Sequence, residues 1–187
     1  MRHSLKAIET ESGYDMDVHA AINSRRSTRR FKPDKVSKSL ILKVFDAGRL
    51  APTARNMQSL KFVAITDQAM KERLRPHLNG QNYALEAPAL MVICSVDNCR
   101  VMKCGEPAGT IDAAIALSFM MLRAEELGLS TCWMGNFDAD GVRIALGAPE
   151  TVKVVAISPL GYSDERHSLR MRKNLSEFVS FNGYYTE

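Results

Sequence analysis

Four arginines fall within six positions of one another, at Arg25, Arg26, Arg29 and Arg30 in the run INSRRSTRRF. With Lys32, Lys35 and Asp34, residues 24–35 hold six positive charges and one negative, a local net of 6 − 1 = +5. The whole chain has a formal net charge of +4, so this segment accounts for the entire excess. Three chemistries fit so dense a cluster. The arginines that end the preceding helix can complement its C-terminal dipole while the rest are solvated. A basic arm can hold nucleic acid, although little aromatic interleaving and no DNA-binding motif surround it. Guanidinium forks can also hold a phosphate monoester by bidentate hydrogen bonds, with the hydroxyls of Ser24, Ser27 and Thr28 as further donors. A second cluster, Arg166, Arg170, Arg172 and Lys173, lies far downstream. Two such clusters converging on one dianion make a better site than either alone, but spacing does not bring them together.

Other residues suit a flat, polar-edged ligand. Asn56 and Gln58 stand two apart in the loop APTARNMQ. Carboxamides offer both a donor and an acceptor, which matches a ring edge containing C=O and N–H. Turn chemistry is the plainer reading of such a loop. In GLSTCWMGNF, Gly135 would let backbone approach a ligand closely. Trp133, the single tryptophan, reads first as a core aromatic. The four histidines are scattered, with no Ser-His-Asp arrangement, no P-loop and no GxGxxG. Of the four cysteines, Cys99 and Cys104 are separated by four residues, without the further ligands a zinc site needs. Free thiols and no metal are expected.

The elements that must position these residues follow from pattern. Asp17 caps a helix through Val18, Ala21 and Ile22, and Pro33 blocks helix beyond the arginines. Ser37 caps a helix with an apolar stripe of Leu40, Ile41, Val44 and Phe45. Pro52 to Ser59 reads as a loop and Phe62 to Thr66 as a strand, with a short helix from Gln68 to Leu74. Pro88 to Val96 is a nearly continuous apolar run, expected of a strand covered on both faces. Ala108 to Leu127 reads as a buried central helix, ended by Gly128. A helix around Ala139–Leu146 and a strand from Lys153 to Tyr162 complete an α/β or α+β pattern with one sheet. Residues 1–15 read as a leader and residues 16–187 as a single domain. The 45% hydrophobic content of a 187-residue chain is enough for a sizeable core. The longest apolar stretch, Ala113 to Leu122, is half the ~20 residues of a membrane span. The N-terminus lacks the apolar core of a secretory signal. A cytoplasmic protein with neither nucleic acid nor membrane as partner is the expectation.

Four segments together resemble the flavin-dependent nitroreductase family, from about Asp17 to Phe181. RRSTRRF is similar to its RRSxRxF signature, and LAPTARNMQSLKFVAI to its APSxxNxQPWxFVVV loop and strand. AAIALSFMMLRAEELGLSTCWMGNF resembles its central helix and GLGTCWIGxF turn. LGAPETVKVVAISPLGYSDE, followed by RMRK, resembles its LGxPExxxVVAxxxLGYPxE and closing KxRKxL. The order and compatible spacing make this far more specific than any one motif. The resemblance implies an α+β nitroreductase-like fold: a central mixed or antiparallel sheet flanked by helices, in an intertwined homodimer with FMN at the interface. Arg25, Arg26, Ser27 and Arg29, with Arg170 and Arg172, would hold the phosphate and polar tail. Asn56 and Gln58 would reach the flavin, usually that of the other subunit. Trp133 and backbone amides near Met134 and Gly135 would lie against its N5 and O4 edge. The C-terminal FVSFNGYY would cross to the partner. Two departures stand out: Ser59-Leu60 replaces Pro-Trp, and Arg55 replaces the usual small residue before Asn56. The first touches local packing. The second adds a cation toward an anionic substrate.

The implied activity is NAD(P)H-dependent reduction of nitroaromatics, quinones or related acceptors. NADH or NADPH and the acceptor would alternate in ping-pong hydride transfer through flavin N5, with no catalytic side chain required. The rivals are a flavin-binding module, such as a redox sensor using Cys99 and Cys104, and a specialised reductase such as a dehalogenase. The latter normally has a substrate lid, for which Asn79 to Ala87 is short.

Overall fold

A computed structural model describes residues 16–97, 100–168 and 170–185. The expected leader and Cys99 lie outside the described residues. The chain begins with α1 (Val18–Ser24), then α2 (Lys38–Arg49), a 3-10 turn (Ala54–Asn56) and β1 (Leu60–Ile65). Next come α3 (Gln68–Leu74), α4 (Tyr83–Glu86), β2 (Ala89–Ser95) and α5 (Ala108–Glu126). Strand β3 (Ser130–Thr131), α6 (Ala139–Ala145) and β4 (Lys153–Gly161) follow.

The helix starts are written in side chains. Asp17 accepts from Ala20 N at 2.7 Å, Ser37 from Leu40 N at 3.2 Å and Asp67 from Met70 N at 2.8 Å. Each satisfies an amide that the first turn leaves unpaired. Helix α5 ends as expected. Gly128 takes a φ of +72°, while Leu129 N bonds Ala124 O at 2.8 Å and Gly128 N bonds Glu125 O at 2.9 Å. These two bonds are the Schellman closure.

The sheet has the order β1-β2-β4-β3, with every strand pair antiparallel. Strand β2 is buried along its whole length, and its residues alternate between two cores. Met91 and Ile93 pack with Val44, Leu117 and Met120 on the α2–α5 side. Leu90, Val92 and Cys94 pack with Leu74, Leu85 and Val142 on the side of α3, α4 and α6. The covered apolar run therefore occurs in an antiparallel sheet. Ile93 pairs with Ala156 and Cys94 with Val154, which leaves Val155 as an extra residue in β4. This bulge turns Val155 and Ala156 both toward α5 and resets the alternation.

Helix α5 is buried against the sheet through Ala113, Ala116, Leu117 and Met120, and α2 covers it at Gly48. Its outer side is open: Ser118 is exposed and so is Phe119. The apolar surround expected of α5 is thus incomplete within one chain. No helix among the described residues is long and apolar enough to cross a membrane.

Candidate functional site

The backbone after α1 is extended and held on two sides. Thr28 N donates to Thr131 O at 3.0 Å, beside a parallel bridge between Ser27 and Thr131. Farther on, Lys32 N donates to Tyr162 O at 2.9 Å and Asp164 N to Arg30 O at 3.0 Å, around an antiparallel Phe31–Ser163 bridge. Side chains close the seam. Arg29 N donates to Glu165 Oε1 at 2.6 Å, Arg30 Nη2 donates to Asp164 O at 3.1 Å, and Thr28 Oγ1 lies 2.9 Å from His167 Nε2. Thr28 is fully buried there. The first arginine cluster thus runs beside the stretch that leads into the second.

Extended backbone then sorts the arginines by alternation. Arg25 and Ser27 line a cavity of about 350 Å³ together with Trp133 and the α5 residues Ser118, Met121 and Leu122. Arg26 points elsewhere. Its Nη1 donates to the carbonyls of Asn23, Ser24 and Arg25 at 2.6, 3.0 and 2.9 Å, capping the C-terminus of α1. That is the helix-dipole role, and it occupies Arg26 away from the cavity. Arg29 places its guanidinium carbon 5.9 Å from the Tyr83 ring centroid. Burial, together with the adjacent Cys132 thiol, pushes the Tyr83 phenol up to about 12. Arg170 and Arg172 are exposed in the segment beyond His167.

Trp133 is not a core aromatic, because it is 39% exposed at the cavity wall. Met134 is the core residue of the pair: its side chain is buried, and its N donates to Ile157 O at 2.9 Å. That bond takes the Met134 amide out of reach of a ligand and leaves Gly135 N as the available donor. Gly135 is exposed, and a Cβ built on it would meet only Trp133 Nε1, at 3.9 Å. Nothing in its own chain crowds that position.

The carboxamide loop is strained. Arg55, Asn56 and Gln58 have φ of 53°, 55° and 53°, in the left-handed region. The loop is pinned beneath by Asp112, a buried carboxylate on α5 whose Oδ1 accepts from Ala54 N at 2.9 Å. Thr53 adds a bond from Gln58 N to its Oγ1 at 3.1 Å. The pinned loop holds Asn56 and Gln58 out to solvent. They do not line the cavity of Arg25 and Ser27 within this chain. Spacing did not single out Asp112; the available signal was one carboxylate inside the apolar run of α5.

Comparison with known proteins agrees with this architecture. The model of the Nitroreductase family matches residues 22–103 and 84–162. The chain belongs to the nitroreductase family. An NADH dehydrogenase of Thermus thermophilus is 28% identical over 181 residues, covering 80% of this chain and 88% of its own. The crystal structure of a nitroreductase family protein from Clostridium difficile 630 superimposes with a TM-score of 0.78 at 29% identity, covering 87% of this chain and 96% of that one. An FMN-dependent nitroreductase from Clostridium difficile R20291 gives 0.72 at 28% identity, covering 88% and 98%.

Proposed function

We propose that this chain binds FMN and uses NADH or NADPH to reduce small acceptors such as nitroaromatics and quinones. The observation behind the proposal is the seam that holds the first arginine cluster beside residues 162–167, which lead into the second, next to a cavity lined by Arg25, Ser27 and Trp133. The donor set fits FMN. A guanidinium and a hydroxyl suit the phosphate end, and an exposed glycine amide suits a carbonyl or ring-nitrogen edge. Arg170 and Arg172 complete the neutralisation of the dianion from the neighbouring segment, with Arg29 at its edge. When bound, FMN supplies the hydride chemistry. The protein contributes position, positive charge and exclusion of water.

The site is finished by a second copy of the chain. Phe119 is 43% exposed on α5, and Phe178, Phe181, Tyr184 and Tyr185 are 68%, 77%, 85% and 89% exposed in the C-terminal segment. Apolar surface on this scale marks an interface. The partner's carboxamide loop, with Asn56 and Gln58, then covers the flavin edge that this chain leaves open.

The test is a visible absorption spectrum of the purified protein before and after anaerobic addition of NADPH, then of NADH. A yellow protein that bleaches supports the proposal, and steady-state kinetics should then be ping-pong. A yellow protein bleached by neither donor points to a binding module. A colourless protein that FMN does not reconstitute overturns the reading.

A further inference from the structure

A second cleft opens beside the carboxamide loop. It has a volume of about 340 Å³ and is lined by Ala54, Arg55, Arg100, Val101, Met102 and Lys103. Three of these six residues are cations and none is acidic. Arg100 Nη1 is buried with no hydrogen-bond partner among the described residues. None of the three cations forms an ion pair among the described residues. Asp97 and Asp112 line a small adjoining cavity with Arg100. Of these, Asp112 is already engaged with Ala54 N.

The cleft is built rather than incidental. Arg100 and Lys103 sit on a turn whose base is the Val101–Pro107 bridge, with Met102 N bonded to Glu106 O at 2.8 Å. Gly105 closes that turn with a φ of +93°. Arg55 faces it from a strained, pinned loop. A buried guanidinium N–H without an acceptor is costly, and three cations around one space repel each other, an excess that the two carboxylates beside Arg100 offset only in part. An oxyanion resolves both.

We propose that Arg55, Arg100 and Lys103 form a binding cleft for the carboxylate or phosphate of a substrate that works at the adjacent carboxamide loop. The substrate role rests on the flavin reading above; the oxyanion site does not. Two sources share this chemistry: an acidic acceptor, and the 2′-phosphate of NADPH.

The experiment is calorimetric titration of the purified protein, incubated with FMN and then desalted, and of an Arg55→Asn/Lys103→Gln variant treated alike. Asn tolerates the left-handed backbone at position 55. The probes are 4-nitrobenzoate against 4-nitrobenzyl alcohol, and adenosine 2′-phosphate against adenosine. The charged member of at least one pair should bind more tightly to the parent protein, weaken as salt rises, and lose about tenfold in affinity in the variant. Its neutral analogue should be unaffected. Loss confined to 4-nitrobenzoate assigns the cleft to the acceptor, and loss confined to adenosine 2′-phosphate assigns it to the donor. Equal binding of charged and neutral members in both pairs, or charged binding unchanged in the variant, overturns the cleft. FMN content is read from the absorbance of the same samples. A colourless protein that still selects the charged probes defeats the flavin reading and leaves the oxyanion site standing.

Discussion

At the scale of single residues, strain and proposed use coincide in the loop that presents Asn56 and Gln58. A non-glycine side chain in the left-handed region costs roughly 1 kcal/mol. Gln58→Gly removes that cost but adds a comparable loss of chain entropy. The urea midpoint of this variant should therefore stay close to that of the parent, while FMN is retained about tenfold less tightly; unchanged FMN retention would remove Gln58 from the site. Asp112 is a different case. Asp112→Ala leaves Ala54 N unpartnered in a part-buried setting, at a cost of about 1 kcal/mol in urea unfolding. Asp112→Asn keeps an acceptor oxygen and should cost clearly less. At this scale the sequence was partly legible. Arg25, Ser27 and Gly135 stand out by type and spacing, and they lie at the cavity or beside Trp133 on its wall. Met134 and Arg26 look equally eligible by spacing. Their partners, Ile157 O and the carbonyls that end α1, are chosen by tertiary and capping geometry that no spacing encodes.

At the scale of elements, α6 shows how a short helix is fixed. Asp138 accepts from Gly141 N at 3.0 Å and pairs with His77 Nδ1 at 3.0 Å. The Gly141 amide first, and His77 next, hold the Asp138 carboxyl below its ordinary value. A depressed carboxyl contributes stability above its unfolded pKa and loses it as pH falls through the folded value. Asp138→Asn keeps the cap and removes the charge. Its urea midpoint should therefore lie below the parent's near neutral pH, and the gap should close as pH falls through the folded value of Asp138. A gap that widens on acidification would contradict the assignment. Gly141→Ala should destabilise more broadly, because its Cβ would fall 1.9 Å from His77 Nδ1 and 2.2 Å from Asp138 Oδ2. The longer helices were legible because their caps and stripes are local. Helix α4 and strand β3, of four and two residues, are too short to show a period. The strand directions were not legible either, since an apolar run such as β2 records burial on both faces and not the sense of its neighbours.

For the molecule as a whole, the open outer side of α5 and the exposed C-terminal aromatics predict a dimer in sedimentation. A chain ending at Asn174 should sediment as a monomer and retain little FMN, while a full-length monomer that holds FMN would contradict the shared site. The seam between the arginine segment and residues 162–167 has a consequence in time. Thr28 and His167 are 139 positions apart, and Arg29 meets Glu165 across 136. On the ribosome, the arginine segment emerges well before its seam partners. Translation proceeds at roughly 5–20 residues per second, so the cationic segment waits roughly 7 to 28 seconds without them. A nascent chain stalled before β4 would carry every lining residue of the Arg25–Trp133 cavity but not the segment that closes the seam over its arginines.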